Sequence, residues 1–451
     1  MTTILIAPSG FKESLSADEV ADAIAEGVSE AAPAARVLKA PIPDGGEGFV
    51  AALVRATRGS LHTVTVTGPL GAAIQAEFGI LGGDTDKRTA VVEVAAAAGL
   101  RLIPLDARDP LRTTSYGVGE LIRAALDAGA ERIVIGCGDS GISDGGAGMA
   151  EALGVRFSDA AGDPIGRGGA ALARLARIDV TARDPRLEHV VLDAAVNWRN
   201  LLLGPEGVAR VFGPQKGAAA EQVGQLEAAL TVFAEQVFAL TGRRVDTMPG
   251  GGASGGIGVA LSELLGARLW PRYDLVMAFT PFDEMLSQAD LVITAEGKLD
   301  GQTPLAKVPV EVAQRAKLRG LPVLALAAML EPEAEATLAH GIDAFTSIQE
   351  APCTREESMA RARDLVKGAA ARMMRMVAVG VALASRSDTA GDGVVRGDAP
   401  DAGAPDDGAR FDQEIIRRAA GTPRLHRSAP SHTPDRDQEV RDPWRGWPTL
   451  Q

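Results

Sequence analysis

The sequence predicts an α/β fold. Short apolar runs rich in β-branched residues alternate with longer helical patterns over roughly the first 350 positions, and acidic, glycine-rich loops recur, most of them at the ends of predicted strands. The 451 residues are 46% hydrophobic, enough for two or three domains with cores of their own.

Residues 3–7 (TILIA) form a predicted buried strand. Ser16 and Glu19 make a capping box that opens a helix to about residue 30, because each side chain satisfies an orphan N–H of the other's turn. A second strand is expected at 36–40. From 61 to 95 the stretches LHTVTVTG, IQAEFGIL and TAVVEVA predict a more antiparallel unit beside the parallel one, with a domain boundary near Gly68. A helix at 117–130, a strand at 132–136 and helices at 222–240 and 254–265 follow. Strands at 290–294 and 322–327, joined by a helix at 308–319, resume the layering, and a long helix at 355–384 closes it. The last 67 residues, 385–451, are charged and poor in apolar side chains, and are expected to be a disordered tail.

Composition excludes several functions. The longest nearly uninterrupted apolar run, 376–384, is far short of the ~18–20 residues of a membrane-spanning helix, and no basic region precedes the first strand. A cytoplasmic protein without a membrane partner is expected. Two cysteines, Cys137 and Cys353, cannot build a multi-cysteine metal site, and the five histidines lack ligand spacing. With 46 Lys+Arg against 59 Asp+Glu the formal charge is −13, and 4% aromatics supply few stacking rings, so no nucleic-acid partner is expected. A small anionic substrate fits if local cations or a metal offset the field.

Only eight basic residues are lysines, and Lys12, Lys216, Lys298 and Lys307 stand in Gly/Ser/Pro-rich sequence. A compact ammonium in such a loop suits a phosphate, although a solvated turn is the simpler reading of any one. Four glycine-rich segments are site candidates: PDGGEG at 43–48, GCGDSGISDGGAG at 136–148, PGGGASGGIG at 249–258 and AEGKLDGQT at 295–303. Open α/β sheets bind ligands beyond the carboxyl ends of their strands, where glycine lets backbone N–H groups approach phosphate oxygens. Carboxylates beside lysines in these loops suit Mg²⁺ with nucleotide phosphates.

No lysine stands in a P-loop pattern. Gly136, Gly138 and Gly141 do match G-x-G-x-x-G after a strand, with Asp159 about where a ribose-binding acid would lie, so an NAD-linked dehydrogenase is the competing reading. It needs a helix starting near Gly141, where Gly145, Gly146 and Gly148 disfavour one.

The stretches APSGFKESLSA (7–17), PIPDGGEG (41–48), VTGPLGA (66–72), DPLRTTSYGVGELI (109–122), IGCGDSGISDGGAGMAEALG (135–154), GPEGVARVFGPQKGA (204–218), PGGGASGGIG (249–258) and ADLVITAEGKLDGQT (289–303) closely resemble the bacterial glycerate kinases of the glyoxylate and glucarate pathways, which lack a P-loop. The resemblance runs from about residue 3 to 350. It implies ATP- and Mg²⁺-dependent phosphorylation of D-glycerate, usually to 2-phosphoglycerate; a monomer or homodimer is expected. It also implies two α/β domains, a discontinuous flavodoxin-like one (1–68 plus 285–384) and one inserted in the middle (69–284), with the site in the cleft between them.

Carried onto this chain, the resemblance implies catalytic roles for Asp300, Lys298, Glu296 and Lys12. Gly138, Asp139, Ser140, Asp144, Lys216, Gly251, Gly252 and Gly255 would bind the nucleotide. Ser9, Lys12, Asp44, Asn197, Asp300, Gln302 and Thr303 would meet the substrate, and Asp44, Asp139 and Asp144 the metal. Glu296 and Asp300 join these three acids in the pool from which metal ligands and the base are drawn, with Asp300 the first choice for close substrate contact. One loop departs from the family: two usual carboxylates are replaced in the stretch 195–202, leaving Asn197 with a neutral oxygen and Asp193 as the nearest substitute. A weakened, retargeted or purely ligand-binding relative is the alternative.

Overall fold

The computed structural model describes residues 1–391 apart from 12, 13, 44, 84–86, 302, 305 and 306. Its strands, in chain order, are β1 (Thr3–Ile6), β2 (Arg36–Lys39), β3 (Ser60–Thr67), β4 (Ala73–Ile80), β5 (Thr89–Glu93), β6 (Arg132–Gly136), β7 (Arg156–Ser158), β8 (Arg177–Asp179), β9 (Val191–Val196), β10 (Arg268–Pro271), β11 (Leu291–Leu299), β12 (Val323–Leu330) and β13 (Ala344–Ser347). Two larger sheets and one hairpin result.

The first sheet has the order β13-β12-β11-β1-β2 and is parallel throughout. Numbered within the sheet this is 2-1-3-4-5, the flavodoxin-like doubly wound order. Both ends of the chain build it. Ile4, Ile6, Ile24, Ile293, Leu326 and Val366 fill its core, and the helices Ala17–Ala31 and Ala362–Gly391 pack there. The expected capping box is present: Ser16 Oγ accepts from Glu19 N–H, and Glu19 Oε2 from Ser16 N–H at 2.8 Å.

The second sheet, β10-β9-β6-β5-β4-β3, is mixed. Its β3-β4-β5 end is antiparallel and β5, β6, β9 and β10 run parallel, so the antiparallel unit is the edge of a larger sheet. Because β3 pairs with β4 along its whole length, the chain has already crossed between sheets before Ser60, upstream of Gly68. β7 and β8 form a separate antiparallel hairpin. The helix Ala220–Thr241 is long and apolar enough to cross a membrane by length and composition alone, but it buries Leu226, Leu230, Phe233 and Val237 in the second sheet's core.

Two helices differ from expectation. The closing one breaks at Arg361 into Arg355–Ala360 and Ala362–Gly391. The element Ala253–Val259 begins with Ser254, Gly255 and Gly256 at positive φ, so regular helix starts only afterwards. The chain divides into a compact unit, Met1–Arg386, and a second, Ser387–Gln451. Nearly all of the predicted tail lies outside the described residues.

Asp193, expected to stand in for the missing loop carboxylates, is fully buried in β9. It accepts from Arg132 Nε (2.8 Å), Arg268 Nε (2.9 Å) and Trp270 Nε1 (2.8 Å), bridging the strands on either side. It is a structural ion-pair centre. Replacing Asp193 with Ala should destabilise the protein by about 3–5 kcal/mol in urea unfolding, because the charges it pairs stay behind.

Candidate active site

Parallel strands bring their carboxyl ends to one edge of each sheet, and the candidate residues gather there. In the first sheet β11 runs further than the sequence suggests, through Leu299, because Ala295–Leu299 keep their pairing with Leu326–Leu330 of β12. Alternation along this strand puts Glu296 and Lys298 on one face, and Asp300 continues the pattern. Lys307, at the start of the helix Val308–Lys317, reaches across to Asp300 Oδ1 (3.0 Å) and Glu296 Oε1 (3.5 Å). Lys298 pairs with Asp300 Oδ2 (3.5 Å) and with Glu331, which raises its pKa, chiefly through the Glu331 hydrogen bond.

Thr303 is buried and locks the turn. Its Oγ1 accepts from Asp300 N–H at 3.0 Å and donates to Asp300 Oδ1 at 3.3 Å. Ser9, beyond β1, donates from both N–H and Oγ to the carbonyl of Ala295, which ties the first loop to β11. Glu296 Oε2 is buried and has no hydrogen-bond partner among the described residues. Desolvation pushes the carboxyl up to about 7, against the pull of Lys307 and Arg272 and with the help of Asp300.

In the second sheet the segment after β6 wraps around Asp144, which is 1% exposed. Its oxygens accept from Ser115 N–H (2.8 Å), Ser115 Oγ (2.8 Å), Gly146 N–H (3.1 Å) and Gly148 N–H (3.4 Å). Three of those bonds converge on Oδ2 and one reaches Oδ1. Asp144, expected as a metal and nucleotide ligand, is held by these bonds at the centre of its loop. Ser115 Oγ also accepts from Met149 N–H, and Thr113 Oγ1 donates to the Gly141 carbonyl, so residues 113–115 clamp the segment at several points.

Lys216 is 3% exposed and donates to the Ile142 carbonyl (2.6 Å) and to Ser140 Oγ (3.3 Å). Desolvation lowers its pKa to about 7 despite the pull of Asp144. It braces the loop from beneath. The 249–258 segment leans on the same loop, Gly145 N–H donating to the Gly255 carbonyl. The amides of Gly251 and Gly252, expected to face the nucleotide, donate to the carbonyls of Met248 and Asn200.

The loop after β2 packs against the loop after β6. A Cβ on Gly138 would lie 2.6 Å from Gly46 Cα, so only glycine allows the contact. Glu47 N–H donates to the exposed Asp139 carboxylate at 3.2 Å. Glu93, at the end of β5, is 6% exposed and accepts from Val50 N–H (3.0 Å) and Gly48 N–H (3.4 Å) at the start of the helix Phe49–Thr57. Arg272, just after β10, stands with its Cβ about 4 Å from where a Cβ on Gly45 would be, and its charge reaches Glu296.

Ser9, Glu296, Lys298, Asp300 and Thr303 are thus brought together around β11, while Asp139, Ser140 and Asp144 belong to the loop after β6, which Lys216 contacts from the turn Pro214–Lys216. Asn197 turns its Oδ1 back to Arg199 N–H at 3.1 Å. Lys12, Asp44 and Gln302 lie outside the described residues. Arg272 and Glu331 escape sequence reasoning because neither stands in a glycine-rich loop, and Lys307 carries only its loop composition as a signal. Among the described residues no group of three His, Cys, Asp or Glu side chains forms a metal cage. The dinucleotide reading fails on geometry: the helix after β6 starts at Ala147, and Asp159 is bonded into its own turn beside the separate β7–β8 hairpin.

The fold and site define an α/β protein whose carboxylates and lysines converge at the carboxyl ends of parallel strands. A model of the glycerate kinase family matches residues 4–378. The chain is 45% identical over 381 residues to the glycerate kinase of Bacillus subtilis (strain 168), covering 84% of this chain and 98% of that relative. It is 43% identical over 378 residues to the glycerate 2-kinase of Escherichia coli (strain K12), covering 84% and 98%. A crystal structure assigned to glycerate kinase 2 of Salmonella typhimurium LT2 matches with TM-score 0.71 and 45% identity over 84% of this chain and 99% of that one. The chain belongs to the glycerate kinase family and is a kinase.

Burial raises the Glu93 carboxyl from its ordinary 4.5 to about 7. Between those values the unfolded chain releases this proton while the native state keeps it, so native stability falls as pH rises through the window and levels off above it. Glu93→Gln should flatten that fall, by up to about 3 kcal/mol, in thermal or urea melts at pH 5 and pH 8.

Proposed function

We propose that the protein transfers the γ-phosphoryl group of ATP to D-glycerate, forming 2-phosphoglycerate in glyoxylate or glucarate catabolism in the cytoplasm, as a monomer or homodimer. The observation that carries this reading is the alternation of Glu296, Lys298 and Asp300 along the end of β11 with Lys307 closing over it. A loose phosphoryl-transfer transition state spreads negative charge over three oxygens, and fixed ammonium groups stabilise that charge without reorganising. Lys298 and Lys307 supply them, and Arg272 adds a cation suited to the substrate carboxylate.

The donor set fits Mg²⁺, which takes oxygen ligands from one or two carboxylates and completes its shell with water and phosphate. Asp139, exposed beyond β6, would hold it, with Asp44 as the second candidate ligand. When bound, the ion neutralises charge on the transferring phosphates. Residues 138–148 would line the nucleotide, with Asp144 and Lys216 fixing the shape of the segment. Closure of the part of the chain built around the first sheet on the part built around the second would exclude water and limit ATP hydrolysis.

A weakened or retargeted kinase is the second reading. It draws support from the loop around Asn197, which has lost two carboxylates, while Asp193 is committed to Arg132 and Arg268. A coupled ADP-release assay with D-glycerate, ATP and Mg²⁺, against controls lacking each component, separates the two. Glycerate-dependent turnover supports the kinase, and silence with intact ATP binding supports the alternative. Lys298→Ala should lower kcat/KM by about 10²-fold or more. An unchanged value would remove Lys298 from the site.

A further inference from the structure

We propose that Glu296, not Asp300, accepts the proton of the attacking glycerate hydroxyl; this assignment rests on the kinase reading above. Both carboxylates sit beside Lys307, but their oxygens differ in what they already bind. Asp300 Oδ1 takes hydrogen bonds from Lys307 Nζ (3.0 Å) and Thr303 Oγ1 (3.3 Å), and Oδ2 faces Lys298 Nζ at 3.5 Å. Protonating that carboxylate would break a satisfied network. Glu296 Oε1 faces Lys307 Nζ at 3.5 Å, whereas Oε2 is buried and without a partner among the described residues. A buried acceptor lacking a donor is costly, and a hydroxyl delivered to it by the substrate removes that cost.

The charged groups facing Glu296 are Lys307 from the helix Val308–Lys317, Asp300 from the turn after β11, and Arg272 from the helix Arg272–Ala278. Their balance with burial brings the carboxyl to about 7, where it is both ionised in good part and basic enough to take a proton at neutral pH. In the step, the hydroxyl oxygen bonds to the γ-phosphorus and its proton passes to Glu296 Oε2. The bond from the γ-phosphorus to the bridging oxygen breaks, and the electron pair leaves with ADP. Asp300 is then a positioning residue, holding Lys298 and Lys307 against the phosphoryl oxygens.

The test is the pH dependence of kcat at saturating ATP and D-glycerate. The unmodified protein should show an acid limb with an apparent pKa near 7. Glu296→Gln should lower kcat by about 10²-fold or more and abolish the limb, with KM for glycerate within about threefold. Glu296→Asp should restore part of the rate and the limb. Lys307→Met, which removes a cation that favours the ionised carboxyl, should move the limb to higher pH, and Asp300→Asn, which removes a negative charge that disfavours it, should move the limb to lower pH without abolishing it. An unmodified protein that turns over glycerate while Glu296→Gln retains both rate and limb overturns the base assignment alone. An unmodified protein without glycerate-dependent turnover overturns the kinase reading and the assignment together.

Discussion

Burying the Asp144 carboxylate completely is the constraint around which the second sheet's loops are arranged. Removing such a charge from water is expensive, and desolvation raises its pKa even though four hydrogen bonds pull the other way. Meeting that demand dictates the neighbourhood. Gly146 takes a positive φ so that its own amide and that of Gly148 can point inward, and Ser115 sits at the start of the helix Tyr116–Asp127 with both its donors aimed at Oδ2. Lys216 contributes charge from a distance while bonding the loop's outer wall. A segment rich in glycine, which would otherwise sample many conformations, is thereby held in one.

The same logic, with carbon in place of charge, governs the contact between the two sheets' loops. Gly136 and Gly138 lie under Gly45 and Gly46 so closely that any side chain would collide with backbone or with the Phe49 ring. Glu93 then fastens the helix Phe49–Thr57, which follows the first sheet's loop, to the end of β5 in the second. Steric exclusion and one buried acid together set the spacing between the groups of residues that would handle substrate and nucleotide.

Much of this architecture was legible in the sequence. β1, β6 and the capped first helix announce themselves through apolar runs and the Ser16–Glu19 box, which depend on neighbours in the chain. The motif at 109–122 stood out, but nothing local says that Thr113 and Ser115 clamp a loop some thirty positions away. β11 was foreseen only to Thr294 because Gly297 and the charged residues around it resemble a loop; pairing with β12 overrides that local preference. Asp144 and Lys216 are read from the sequence as nucleotide-site residues, yet composition cannot reveal that each also bonds the backbone or side chains of its own neighbourhood. Burial and the direction of the surrounding N–H groups emerge only in the folded chain.

The extension of β11 has a mechanical side. β1 pairs with β11 only as far as Ile293 and β13 leaves β12 at Ala327, opposite Glu296, while β12 accompanies β11 to Leu299, so Lys298 rides on a two-stranded arm that begins just past Glu296. Ser9 stitches β11 at Ala295, and past that point its stiffness on the strand-pairing side comes from β12. Such a beam resists stretching along its length but yields to twist. Substitutions in Ala327–Leu330, the strand that pairs with Glu296 and Lys298, are therefore placed to alter how Glu296, Lys298 and Lys307 line up with one another.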